Sequence, residues 1–236
     1  MAFVCSLIFG ICSLLAMLLS IKYYLPVISK RAAEANTTSP DSSLEEKKEP
    51  ELATQPKKIH LAFIILLTIF ALGTGYMAYI NSTDVISLVK LGITFTILSV
   101  TLVTDWSLHV IPNLCCLALL GARLLVLIPE LIIDWEKALY SLANCAIAMV
   151  IMAIFLLVMS KFTRGGLGMG DVKLYCSIGF MCGVRAVCYS LLFGLIILTL
   201  TSLALMIIKQ YKLKDAIPMG PFILLGYGLT IILSLA

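Results

Sequence analysis

Two aspartates stand apart from the other charged residues because each lies beside a long apolar run. Asp105 follows the run 86–104, and Asp171 precedes the run 172–188. If successive runs cross a membrane in alternating directions, both aspartates reach the same face and can meet there. Two carboxylates at a low-dielectric boundary do not readily both ionise, so they share one proton. This pair predicts hydrolysis of a peptide bond without a metal, since one carboxylate activates water and the other polarises the carbonyl.

The segment Arg164–Asp171 contains four glycines. Gly168 and Gly170 lack a Cβ, so the segment can adopt backbone angles that are costly for other residues. It could then let an extended substrate approach Asp171 and pair with it through main-chain hydrogen bonds. The alternative interpretation is that Asp171 only N-caps the sixth helix and that the glycines form a reverse turn.

Asp105 begins the segment that ends at Asn113. Pro112 stops the helical chain there, and Asn113 is predicted to cap the fourth span. A capping role at the membrane boundary is the alternative to catalysis for Asp105. His109 could titrate near neutral pH, but it is interpreted as a surface loop residue. Lys173 is interpreted as an anchor at the positively charged membrane face.

The composition and the apolar runs place these residues in a membrane protein. Hydrophobic residues make up 61% of the 236 residues and charged residues 13%, which excludes an ordinary soluble domain. The runs lack strand-like alternation, so an all-α polytopic membrane helix bundle with about eight transmembrane helices is predicted. Only Gly183, Val184 and Arg185 interrupt the stretch 172–208, which is too long for one crossing, so a break between the sixth and seventh spans is predicted there. The eight runs are 2–21, 61–80, 86–104, 114–129, 138–160, 172–188, 190–208 and 217–235.

Charge placement predicts three regions and an orientation. Residues 1–21 form the first transmembrane helix, 22–58 a flexible polar cytoplasmic loop, and 59–236 a seven-helix core. Most of the 17 basic residues follow odd-numbered runs, which predicts a cytoplasmic position for those segments and an outward position for both termini. The aspartates then lie at the cytoplasmic membrane boundary. The net charge of +4 is therefore interpreted as a topology signal in the lipid bilayer, not as a surface for nucleic acid.

Three motifs occur in order along the chain: an Asp leading to Ile111-Pro112-Asn113, then Gly168–Lys173, then Ile217–Phe222. Over residues 86–230 the chain resembles the type IV prepilin peptidases, membrane aspartic proteases with a GxGD motif. The resemblance implies that Asp105 and Asp171 are the catalytic pair and that Gly168 and Gly170 belong to the active-site loop. It also implies cleavage of the basic leader from prepilin or pseudopilin precursors, at the cytoplasmic face of the cell (inner) membrane.

The chain departs from this family at several positions. Many members carry two CxxC pairs that bind zinc in the first cytoplasmic loop and a methyltransferase activity that uses S-adenosylmethionine. Residues 22–58 contain no cysteine, so no zinc site is predicted, since a structural site needs about four such ligands. Proteolysis needs no cofactor, and S-adenosylmethionine is expected only if methyl transfer is retained. Ser107 replaces an Arg of many members, and Met219 replaces a Phe.

Two other classes of function fit the same residues. A proton- or cation-coupled membrane transporter could use the two aspartates as a relay. A structural assembly factor would use small residues such as Gly179 and Gly183 for helix contacts. Among proteases, a preflagellin peptidase or a presenilin-like enzyme is the nearest alternative.

Overall fold

The computed structural model describes residues 2–24, 61–81, 84–108, 110–162, 167–207 and 218–233. Within these ranges the chain is helical and contains no strand, which confirms the prediction of an all-α bundle. Most of the polar loop 22–58 lies outside the described residues, as do His109 and the segment 163–166.

Eight α-helices lie close to the predicted apolar runs in the part of the chain that the structure describes. The first, α1, is followed by a π-helical turn, Ser20–Tyr24. The helices are α1 (Ala2–Leu19), α2 (Leu61–Asn81), α3 (Val85–Leu108), α4 (Asn113–Ile133), α5 (Trp135–Phe162), α6 (Met169–Cys182), α7 (Val184–Ile207) and α8 (Gly220–Ile232).

Among the described residues, four helices are long and apolar enough to cross a bilayer by length and composition: Val85–Ser107, Asn113–Ile133, Trp135–Phe162 and Val184–Ile207. Shorter apolar helical stretches occupy Ser6–Lys22, Leu67–Ile80 and Gly220–Ile232. Large apolar side chains, including Leu125, Phe155 and Leu200, are exposed on the outer surface of the bundle. A hydrocarbon environment tolerates such a surface, so the protein is a multi-pass membrane protein.

The break predicted at 183–185 is confirmed, since α6 stops at Cys182 and the next helix begins at Val184. The predicted bounds of the sixth run at 188 and of the seventh at 190 are each wrong by six residues. Gly183 has a φ of 87°, a left-handed conformation that ends the helix and that glycine adopts without strain. The 14 residues of α6 rise about 21 Å, less than the ~30 Å of a bilayer core. The helix α6 is therefore too short to cross the bilayer core by itself.

Three helices, α3, α6 and α8, form the centre of the bundle and position the residues singled out above. Their inward side chains are essentially inaccessible: Phe95, Leu98 and Leu102 on α3, Leu174, Ile178 and Met181 on α6, and Ile223, Leu224 and Tyr227 on α8. Close packing of this kind fixes the relative positions of the helix ends, because interiors have few voids into which a helix could shift.

A buried ionic cluster, which the sequence analysis did not anticipate, joins α3, α4 and α5. Lys90 donates to Glu130 Oε1 at 2.8 Å, and Arg123 donates to Glu130 Oε2 at 2.7 Å. Arg123 also donates to Ser141 Oγ at 3.1 Å and is fully buried in the middle of α4. Arg123 and Glu130 lie seven residues apart, two helical turns, so their spacing was the available signal for a shared face.

Candidate active site

Asp105 lies within the last turn of α3, since the helix continues to Leu108 and does not end at 104 as predicted. Its side chain is buried, with 6% of the residue exposed. The chain leaves the helical conformation before Pro112, which has extended angles of φ −68° and ψ 129°. A proline disfavours helical angles at the preceding residue, which explains a break at this point and not at Asp105.

The N-terminus of α8 contacts Asp105 directly. The backbone N–H of Gly220 donates to Asp105 Oδ2 at 2.6 Å in a buried hydrogen bond. A Cβ at Gly220 would lie 3.0 Å from both Cβ and Oδ2 of Asp105 and 3.3 Å from the Leu102 Cα. A side chain at position 220 would push α8 a few tenths of an ångström away from α3. This close approach brings the third sequence motif into contact with the first.

Asp171 lies in the first turn of α6, and the N-cap is Gly168, so the interpretation of Asp171 as the N-cap residue is wrong. Gly168 has extended angles, and its carbonyl accepts from the backbone N–H of Asp171 at 3.1 Å. A Cβ at Gly168 would lie 3.0 Å from Asp171 Oδ2, and one at Gly170 would lie 3.0 Å from the Ile111 Cβ. The two glycines therefore let the start of α6 pack beside its own carboxylate and against the segment before Pro112.

The electrostatics of Asp171 indicate that the two aspartates lie close together. Burial, and then the charge of Asp105, raise the pKa of Asp171 from 3.8 to about 7, although a hydrogen bond with the Gly168 backbone opposes the shift. Asp171 lies outside the four candidate spans, at the boundary where α6 begins. The structure thus places Asp105 close enough to Asp171 for its charge to raise the pKa of Asp171.

A second contact joins the motifs on α4 and α6. Lys173 Nζ donates to Asn113 Oδ1 at 3.3 Å. Asn113 is the first residue of α4 and does not cap it, because the N-cap is Pro112 and no side chain caps the helix. The predicted capping role of Asn113 is therefore wrong, and its amide instead holds the exposed Lys173 beside the start of α4.

In the described part of the chain, no group of three or more His, Cys, Asp or Glu residues could hold a metal ion. Around the pair, this part of the chain offers two carboxylates, backbone N–H groups and the ammonium of Lys173. We assign none of these groups to S-adenosylmethionine.

Comparison with known proteins relates the pair to a known family. Residues 92–208, which contain both aspartates, match the family model of the type IV leader peptidases. Over these residues the chain is similar to the type IV leader peptidase family. Within the leader peptidases, a curated relative, the prepilin leader peptidase/N-methyltransferase of Bacillus subtilis (strain 168), is 33% identical over 73 residues.

This match covers only part of each of the two proteins. It covers 31% of the chain and only 29% of the length of the Bacillus protein. The family match also ends before α8, so Gly220 lies outside the residues that it covers. No solved structure matches the chain.

Proposed function

We propose that the protein is a membrane-embedded aspartic endopeptidase that removes the leader peptide from type IV prepilin or pseudopilin precursors. The observation that carries this proposal is the coupled pair of Asp105 and Asp171, which are held by three helices at one boundary of the bundle. The family and the name of the Bacillus relative support the substrate class.

The pair supplies both halves of an acid–base hydrolysis. The ionised carboxylate takes a proton from water as the water oxygen bonds to the scissile carbonyl carbon. The protonated carboxyl donates its hydrogen bond to the carbonyl oxygen, where negative charge develops. When the C–N bond breaks, the leaving amine takes a proton from the pair and the carbonyl re-forms as a carboxyl group. No covalent intermediate with the protein is needed.

Glycine at 168 and 170 gives the substrate access to this pair. Gly168 is exposed and extended, which suits main-chain pairing with an extended peptide. A side chain at Gly168 would occupy the space beside Asp171 Oδ2. The start of α6 therefore serves as the active-site loop, and the substrate residues around the scissile bond lie against it.

We further propose that the pair faces the cytoplasm from the cell membrane, with both termini outward. The support is the distribution of basic residues: Lys161 and Lys173 are exposed at the end of the bundle that carries Asp171.

Replacement of each aspartate tests the peptidase proposal. Asp105→Asn and Asp171→Asn should each abolish processing of a co-expressed precursor, because an amide can neither accept the water proton nor share one. Asp134→Asn, at a partly exposed residue away from the pair, is the matched control and should process normally. Mass spectrometry of the mature N-terminus gives the cleavage position and reveals any added methyl group, which is the readout for methyl transfer.

The control measurements are membrane insertion and thermal unfolding of each variant. Processing that persists in both single variants, at parental protein levels, would contradict the proposal. A double variant that retains full biological activity would instead indicate a structural assembly factor.

One observation favours the transporter as the second candidate. Lys90, Arg123 and Glu130 form an ionic cluster inside the bundle, and intramembrane charges often mark ion pathways. The cluster lies about 22 Å from Asp105 along α3, as judged from the helical rise. A proton or cation flux in proteoliposomes that is lost in Glu130→Gln, with no precursor cleavage by the parent protein, would favour this function.

A further inference from the structure

The two aspartates differ in what their oxygens contact. Asp105 Oδ2 accepts the 2.6 Å hydrogen bond from the Gly220 N–H, which belongs to another helix far along the chain. Asp171 contacts the backbone of its own helix start at Gly168. Hydrogen bonds to an ionised carboxylate are stronger than those to a neutral carboxyl. A backbone N–H can only donate, so the Gly220 bond favours the ionised form of Asp105.

We propose that the N-terminus of α8, through the Gly220 N–H, keeps Asp105 as the ionised member of the pair, so that Asp105 is the general base and Asp171 the general acid. This assignment rests on the proposed peptidase function and adds which aspartate is the general base and which is the general acid. Gly220 is then a positioning residue, since it acts on the reaction through Asp105.

Helix dipoles show why this contact is needed. Asp105 lies in the last turn of α3, where the helix dipole disfavours negative charge, and Asp171 lies in the first turn of α6, where the dipole favours it. Without α8, Asp171 would be the better site for the anion. The first N–H groups of α8 have no acceptor within their own helix, so the Gly220 N–H can compensate the charge on Asp105.

The buried position of Asp105 strengthens this effect. With 6% of the residue exposed, its carboxylate has little contact with water, so a protein donor replaces solvation that water would otherwise provide. Asp171 is half-buried and keeps a pKa of about 7 even with its hydrogen bond to the Gly168 backbone. The proton of the pair therefore belongs on Asp171 at neutral pH.

The titratable groups on the elements that pack against this end of α3 are few in the described part of the chain. Besides Asp171, α6 carries Lys173, which donates to Asn113, and the buried Tyr175. The π-helical turn carries the exposed Lys22, α4 carries Cys115 and Cys116, and α8 carries the buried Tyr227. His109, which follows Asp105 by one turn, lies outside the described residues.

Deleting a single N–H tests the assignment without adding atoms. Glycolic acid in place of Gly220, introduced by ribosomal incorporation of the hydroxy acid, converts the amide into an ester. In lipid nanodiscs, the acid limb of the pH profile of kcat/KM should shift upward by about one to two pH units, the size of one charge-assisted hydrogen bond. The same replacement at Gly121, where the surroundings are open, should leave the limb in place.

Infrared titration of the buried carboxyl groups gives a readout that needs no cleavage. Bands assigned with Asp105→Asn and Asp171→Asn should show that the lower of the two titration steps moves upward in the ester protein. A parent that cleaves no precursor would overturn the proposed function, whereas the infrared shift would still test the role of Gly220. An acid limb and a titration step that both stay unchanged in the ester protein would overturn the assignment.

A conservative variant tests the same assignment if the ester protein does not fold. Gly220→Ala keeps the N–H but places a Cβ 3.0 Å from Asp105 Oδ2 and 3.3 Å from the Leu102 Cα, which must lengthen the hydrogen bond. A smaller upward shift of the acid limb is expected, with no shift in Gly121→Ala. A lower kcat with an unmoved acid limb would show that Gly220 serves packing alone, and this would overturn the proposal.

Discussion

At the scale of single residues, the main feature is the carboxyl group of Asp171. Burial and the neighbouring Asp105 raise its pKa to about 7, which lets it keep a proton under conditions where an ordinary aspartate is ionised. Such an acid suits general acid catalysis near neutral pH. It also lowers the stability of the fold as the pH rises, because burying the ionised carboxylate is unfavourable.

The stability of Asp171→Asn should therefore depend on pH in a defined direction. The folded-state pKa of Asp171 lies above its unfolded value of 3.8, so its contribution to stability is present below pH ~4 and is lost as the pH rises through about 7. Asparagine does not titrate. We expect the melting temperature of Asp171→Asn, relative to that of the parent, to increase between pH 4 and pH 7.5 in detergent.

Asp134→Asn is the control for this series. Its hydrogen bond with Lys137 lowers the pKa of Asp134, so the parent gains stability from this group above pH ~4. The difference between Asp134→Asn and the parent should therefore be small and opposite in sign. A melting-temperature difference for Asp171→Asn that stays constant across the pH range would contradict the raised pKa.

At the scale of helices, the position of α8 depends on glycine contacts with α7. A Cβ at Gly226 would lie 2.5 Å from the Ser190 carbonyl oxygen and 2.6 Å from the Gly194 nitrogen, both of which are backbone atoms on α7. Backbone cannot move aside as a flexible side chain can, so any side chain at 226 must separate the two helices. Because α8 also carries Gly220, this packing transmits directly to Asp105.

Gly226→Ala should therefore lower stability by about 1–3 kcal/mol or more and reduce precursor cleavage. Gly121→Ala, at a helix position with no atom near the new Cβ, is the matched control. It should be neutral or stabilising by up to about 1 kcal/mol, because alanine favours helix. Thermal unfolding of both purified variants measures the contrast, and an equal effect of the two substitutions would refute the close contact of α7 and α8.

The ionic cluster is a second feature at the scale of helices, and it joins α3, α4 and α5 at the end of α3 away from Asp105. Glu130→Gln would leave Lys90 and the fully buried Arg123 without their carboxylate partner. A loss of about 3–5 kcal/mol in stability is expected, because an uncompensated buried charge remains. Thermal unfolding in detergent is the measurement.

The exposed ion pair of Lys137 and Asp134 supplies the comparison for this cluster. Lys137→Gln should change the melting temperature little, since solvent already screens this pair. Near-parental stability of Glu130→Gln would argue that the cluster does not join the three helices.

At the scale of the whole molecule, orientation in the membrane follows from charge, not from packing. The helix order places Lys137, at the start of α5, and Lys161, at its end, on opposite faces of the bilayer. In the proposed orientation, which rests on the positive-inside rule, the Lys161 face is cytoplasmic. Since α6 begins shortly after Lys161, the same assignment applies to Asp171.

Cysteine labelling in intact cells tests this orientation. Lys137→Cys should react with a membrane-impermeant maleimide, and Lys161→Cys should react only after the membrane is permeabilised. The parent, whose own cysteines remain in place, gives the background signal. The reverse pattern of labelling would place the active-site face outside the cytoplasm and contradict the proposed localisation.

The sequence predicted much of the fold because membrane helices are specified by local hydrophobicity. Six of the eight apolar runs match a helix with shifts of a few residues at their ends, since about 20 apolar residues in a row have few other structures available. The bounds between the sixth and seventh runs were wrong, because a helix end within an apolar segment depends on one backbone angle, here that of Gly183. The roles of Asn113 and Asp171 as caps failed for a related reason, since capping depends on local geometry that residue type alone does not fix.

The sequence by itself determined the residues of the candidate site, the all-α architecture and the shared face of Asp105 and Asp171, because these follow from residue type, hydrophobic length and the parity of crossings. Only the tertiary structure decided which groups contact each carboxylate. The Gly220 N–H reaches Asp105, and Arg123 pairs with Glu130 inside the bundle. Such contacts depend on how closely separate helices approach each other, and that distance is set by side-chain packing across the whole bundle.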